Sequence, residues 1–261
     1  MTEVKAIVLR AAGINCYMET EYALEMAGAK AQHIHINRII ENKTLLDEFQ
    51  IMVIPGGFSY GDDVAAGKIL ANQIMHHLYE PVQKFIKDGK LVLGICNGFQ
   101  VLVKTGILPG DNSAKRQTSV TITNNDSGKY EDRWVYLAPR SKRCIFIEPG
   151  RQIYLPVAHA EGKVVTKDEA TLQELREGSH IAFKYVDKDG KEGGFPVNPN
   201  GSMDSIAGLT DTTGRVLGLM PHPERFVRPT QHPRWCRSNN VDSDGMTIFN
   251  NAVKYIRNNF G

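Results

Sequence analysis

Leu91-Val-Leu-Gly-Ile95 is a buried-strand run that ends in the turn Gly94-Ile-Cys96-Asn-Gly98, and the chain turns helical from Asn97. Flanking glycines leave room for a tight strand-to-helix turn of the nucleophile-elbow kind. A thiol at its apex stands over a helix N-terminus, whose partial positive charge favours the thiolate. The backbone N–H of Asn97 would point at the oxyanion of an attacked carbonyl. The plainer reading is a structural cysteine between two packing glycines. Its place after a central strand favours the reactive one.

Working outward, Ala6–Leu9, Ala31–Ile36 and Ile51–Ile54 are short apolar runs like Leu91–Ile95. Helical segments at 17–28, 64–77 and 78–87 lie between them, with Gly28 and Gly89 as stops. Strands apolar throughout and alternating with helices predict an α/β fold with a mostly parallel sheet covered on both faces. The flavodoxin-like form is the expected one. Beyond about residue 117 the chain becomes β-rich, with strands expected at Ser119–Thr123, Arg133–Leu137, Cys144–Ile147, Ile153–Val157 and Ile181–Val186. A helix is expected over Thr166–Glu177. Ile206–Leu209 and Val216–Met220 flank Thr213-Gly214 as a hairpin, and a last helix spans about 243–257. The Asn/Gly/Pro-rich stretch 193–202 is a loop, so residues 1–261 are expected to form one domain.

The 261 residues carry 31 basic and 29 acidic side chains. So balanced a chain points to neither nucleic acid nor a membrane surface. The four cysteines, at 16, 96, 144 and 236, form no Cys-x-x-Cys pair, which favours reduced thiols and a cytoplasmic setting. The charged N-terminus lacks a signal-peptide core, and no run approaches the ~18 apolar residues of a membrane span.

A second strand end carries Pro55-Gly-Gly-Phe-Ser-Tyr-Gly-Asp-Asp63. Ligands in open parallel sheets sit at strand C-termini, and adjacent glycines leave amides free for an oxyanion. Asp62 and Asp63 most simply cap the following helix. A phosphate loop is excluded, because Gly61 to Gly67 is one residue too long and Ile69 stands where Ser or Thr must bind magnesium. No Gly-x-Gly-x-x-Gly follows a strand.

A thiolate needs a base, and the base an orienting carboxylate. Two pairs qualify, His159-Ala-Glu161 and His222-Pro-Glu224, and spacing alone does not choose between them. The two prolines around His222 hold its segment extended beyond an apolar strand, which favours 222 and 224. His33, His35, His76 and His77 lack Cys or carboxylate company in sequence, so no metal site is expected.

Together Pro55–Asp63, Gly94-Ile-Cys-Asn-Gly-Phe-Gln100 and Met220-Pro-His-Pro-Glu-Arg225 resemble the three site blocks of triad-type class I glutamine amidotransferases. Asn124–Trp134 and Pro156–Gly162 are similar to the branch serving formylglycinamidine ribonucleotide synthesis in purine biosynthesis. The resemblance runs from about residue 4 to 258. It implies Cys96 as nucleophile, His222 as base and Glu224 as its orienting carboxylate. Gly57 and Asn97 match oxyanion-hole positions, and Gly56, Gln100, His159 and Ala160 match the glutamine-binding segments. It further implies a glutaminase that passes ammonia to a synthetase subunit, with ATP and magnesium on that partner, no cofactor on this chain, and room for a small bridging subunit. The rivals are a lone Cys-His-acid hydrolase, such as a peptidase or deglycase of the same superfamily, and an inactive docking subunit. Arg228 to Asn240, with Arg234, Trp235 and Arg237, is longer and more basic than the family pattern, and reads either as a docking segment or as a solvated surface loop.

Overall fold

A computed structural model describes residues 3–110, 119–237 and 243–260. The strands are β1 (Lys5–Arg10), β2 (Lys30–His35), β3 (Ile51–Ile54), β4 (Leu91–Ile95), β5 (Val120–Asn124) and β6 (Glu131–Pro139). They continue with β7 (Ile153–His159), β8 (Glu161–Thr166), β9 (Ile181–Val186), β10 (Ile206–Thr210) and β11 (Val216–Leu219). Nine of them make one sheet in the order β2-β1-β3-β4-β11-β10-β9-β6-β7. The half from β2 to β11 is parallel, and the half from β10 to β7 is antiparallel. Every residue of β3, β4 and β11 is buried, as expected of strands covered on both faces. β5 and β8 pair apart as a two-stranded ribbon.

The helices are α1 (Tyr17–Met26), α2 (Ile36–Glu41), α3 (Lys68–Gln73), α4 (Tyr79–Lys87), α5 (Asn97–Lys104), α6 (Glu169–Glu177) and α7 (Gly245–Asn259). A π turn at Ile74–Leu78 joins α3 to α4, so the two helices expected there form one kinked run. Two glycines let α5 lie hard against the sheet. A Cβ on Gly98 would fall 1.8 Å from the Ile54 carbonyl oxygen, and one on Gly218 would fall 2.1 Å from the Phe99 ring. That close approach fixes the start of α5, and with it Cys96, at the C-terminal ends of β3, β4 and β11.

Three further expectations need correction. Cys144–Ile147 is a series of turns rather than a strand. The Cys144 amide donates to the Ser141 hydroxyl, the Ile145 amide donates to the Gly214 carbonyl at the hairpin tip, and the Asn251 side-chain amide holds the Phe146 carbonyl. The run is apolar because Cys144, Phe146 and Ile147 point into the core. Residues 161–166 form the strand β8, and α6 starts only at Glu169, where the Asp168 carboxylate caps the Thr171 amide at 2.8 Å. The helix expected from Val64 begins at Lys68, and Asp62 accepts from the Gly67 amide just before it. The hairpin between β10 and β11 forms as expected. Asp211 ties it by accepting from the Val216 amide and the Thr213 hydroxyl.

Candidate active site

Cys96 sits at φ 51° and ψ −105°, a left-handed conformation that L side chains rarely adopt. Such strain costs about 1–3 kcal/mol and persists only where the surroundings over-determine it. Here they do. The Cys96 amide bonds to Leu219 O at 2.8 Å, its carbonyl accepts from the Gln100 amide at 3.1 Å, and Gly94 and Gly98 admit no side chain. Asn97 opens α5, and a helix's first amides have no carbonyl one turn back to bond.

The loop after β11 brings in the base. His222 is anchored by its amide on Pro156 O at 2.8 Å, and its Nδ1 meets Glu224 Oε1 at 2.6 Å with both side chains buried. Its Nε2 makes no full hydrogen bond, as is common for catalytic groups without substrate. The imidazole is held well above its ordinary pKa. Burial alone would lower it, but the Glu224 carboxylate, then Cys96 and Cys16, outweigh that.

The second pair behaves differently. His159 Nδ1 faces the Asn125 side-chain oxygen at 3.2 Å rather than Glu161, and the Asn125 amide holds the His159 carbonyl at 2.8 Å. Burial, then the nearby His222, push its pKa down to about 3, so this ring is neutral. A Cβ on Gly162 would overlap the His159 ring, so that glycine makes its slot.

A cleft of about 290 Å³ joins these groups, lined by Gly57, Cys96, Gln100, His159, Ala160 and His222 among others. Glu224 lies behind His222, and Gly56 packs under the ring, where a Cβ would fall 2.7 Å from His222 Cε1. The Asn97 side chain bridges the motifs by donating to Asp62 Oδ1 at 3.1 Å and to Gln100 Oε1 at 3.0 Å. Gln100 in turn donates to the Glu161 carbonyl. The structure thus brings together every residue expected in the site from its sequence pattern.

It also adds two. Tyr130, from the β5–β6 loop, and Cys16 line the cleft. Cys16 precedes α1, its amide bonds to Gly56 O at 3.3 Å, and Arg225 Nη2 donates to its sulfur at 3.1 Å. Burial holds its thiol above the ordinary range despite the opposing pull of His222. One signal was available, since Cys16 follows the C-terminal end of a parallel strand, as the other site residues do.

A family model described as CobB/CobQ-like glutamine amidotransferase domain matches residues 3–256. The phosphoribosylformylglycinamidine synthase subunit PurQ of Dehalococcoides mccartyi is 47% identical over 98% of this chain and 99% of its own. The chain belongs to the PurQ family of glutamine amidotransferases. PurQ of Archaeoglobus fulgidus is 40% identical over 97% of both chains. Among solved structures, a chain of PurLQS from Thermotoga maritima superposes with a TM-score of 0.74. It is 30% identical, over 98% of this chain and all of that one. The expected α/β fold of the class I glutamine amidotransferase type is borne out, with the parallel strands in the half of the sheet that carries the site.

Proposed function

We propose that this chain is the glutaminase subunit of phosphoribosylformylglycinamidine synthase in purine biosynthesis, with Cys96 as nucleophile, His222 as acid–base group and Glu224 as its orienting carboxylate. One observation carries the reading: the buried 2.6 Å contact from Glu224 to His222 Nδ1, beside a strained Cys96 in the same cleft. Glu224 fixes the ring tautomer and leaves Nε2 for chemistry.

The Cys96 thiolate attacks the side-chain amide carbon of glutamine. Amides of Gly57 and Asn97 receive the oxyanion, and such donors are typically worth ~3–4 kcal/mol each. His222 protonates the leaving nitrogen, so ammonia departs and a γ-glutamyl thioester remains. His222 then takes a proton from water, whose oxygen displaces the thiolate to give glutamate. Gly56, Gln100, His159 and Ala160 shape the glutamine site. The Asn97–Asp62–Gln100 network holds the glycine loop and the elbow in register.

ATP and magnesium belong to the synthetase, which consumes the ammonia. The similarity to a chain of PurLQS supports PurL as that partner, with PurS as a third component. Arg228, Arg234, Trp235 and Arg237 are the proposed docking residues, and 238–240 of that segment lie outside the described residues. His232 seats the segment by packing on Trp134 and Tyr154, while Trp235 stays 54% exposed. The reading treats residues 1–261 as one domain working in the cytoplasm, a compartment that suits its free thiols. Among the described residues no helix is long and apolar enough to cross a membrane. Glutamate release by the chain alone, then with the synthetase added, tests the reading. Strong stimulation by the synthetase is expected, and full activity without it would favour a lone hydrolase.

A further inference from the structure

Cys16 has no part in the reaction above, yet its sulfur, a ring nitrogen of His222 and a carboxylate oxygen of Glu224 all lie within 4.8 Å of one another. All three side chains are buried, and Glu224 Oε2 has no hydrogen-bond partner. We propose that Cys16, His222 and Glu224 form a site for a thiophilic divalent cation of the zinc class, whose occupation shuts the catalytic centre.

Mixed S, N and O donors suit zinc, whereas magnesium and calcium take oxygen ligands. A tetrahedral zinc with bonds of about 2.0–2.3 Å spaces its donors by roughly 3.3–3.8 Å, so side-chain adjustments of about an ångström close the site. The charges balance. A Cys16 thiolate and the Glu224 carboxylate cancel the two positive charges, and the Arg225 guanidinium beside the sulfur is matched by Glu19 at 3.0 Å. Cys16 and His222 both line the cleft, which supplies an entry path and the open fourth position. Binding expels the Cys16 thiol proton and the imidazole proton held by Glu224, because ligands must be deprotonated. The ring then no longer serves as acid or base.

The inhibitory half of this inference rests on the glutaminase reading, while the binding half does not. Cobalt(II) serves as the probe, because a thiolate ligand gives it a charge-transfer absorption. Full-length Cys96→Ala, which lacks the nucleophile, is expected to bind one equivalent of cobalt with that band, and zinc to displace it. Adding Cys16→Ser, which preserves side-chain volume, is expected to abolish the band with little change in Tm. Absence of the band in Cys96→Ala, or its survival without Cys16 in a folded variant, overturns the site. In the otherwise wild-type chain, zinc is expected to inhibit glutamate release reversibly. Changing a group that merely orients a ligand typically costs about 10- to 100-fold in metal affinity, so Cys16→Ser should raise the inhibitory zinc concentration at least about 10-fold, relative to its own metal-free rate. Equal sensitivity overturns the inhibitory role. A chain that releases no glutamate even with the synthetase added refutes the glutaminase reading instead, and the cobalt titration still decides the site.

Discussion

Glu224 Oε1 lies 2.6 Å from His222 Nδ1, whereas Glu161, at the same sequence spacing from His159, makes no such contact and leaves that ring to Asn125. The two pairs should therefore separate in kinetics. His222→Ala lowers kcat by at least about 100-fold, the usual floor for losing general acid–base catalysis. His159→Ala chiefly raises KM for glutamine. Steady-state glutaminase assays of both variants check this, and a reversed pattern would move the base to His159.

The same neutral His159 makes a prediction about acid stability. Its folded pKa of about 3 lies below the ordinary value of about 6.5, so the unfolded chain binds the extra proton between them. Stability from this group is full above about pH 6.5 and falls as pH drops toward 3, with a slope of at most about 1.4 kcal/mol per pH unit. His222 is shifted upward, so its contribution is complete below its unfolded value and fades only as pH rises through the folded one. His159→Asn should flatten the loss of urea-unfolding free energy between about pH 6.5 and about pH 3, the window set by these two values. An unchanged slope would contradict the burial argument.

The elbow depends on Gly98. A methyl there would fall 1.8 Å from the Ile54 carbonyl oxygen, which is backbone and cannot swing away. Gly98→Ala is expected to cost about 1–3 kcal/mol or more and to displace Cys96, reducing kcat beyond the stability loss. A variant with wild-type unfolding midpoint and wild-type kcat would show that α5 does not need its close seat on β3.

Much of this was legible in the residues. β1, β3 and β4 announce themselves as short apolar runs because both their faces are buried. Cys96 shows because glycines bracket it at a strand end. What the sequence hid was long-range. Asn125 takes the His159 ring that Glu161 leaves, and no local pattern around 159 or 222 contains it. Cys144–Ile147 imitates a strand because its side chains fill the core, while its amides bond to the Ser141 and Gly214 turns. Cys16 meets His222 only because β1 lies beside β3, whose Gly56 loop packs under the His222 ring.

The segment after the catalytic loop yields an interface prediction. Arg and Trp are enriched at binding hot spots. Replacing Arg234 and Trp235 together by Ala weakens binding to the synthetase and its stimulation of glutaminase, with Tm unchanged. Calorimetric titration against the synthetase checks it, and wild-type affinity in the double variant would remove this segment from the interface.

The nucleophile assignment is the centre of the account, and Cys96→Ala in the assembled synthase tests it most directly. Product formation is measured with glutamine and, separately, with added ammonia. The account predicts that glutamine-dependent synthesis disappears while ammonia-dependent synthesis continues at the wild-type rate. Glutamine-dependent synthesis persisting near the wild-type rate would contradict it.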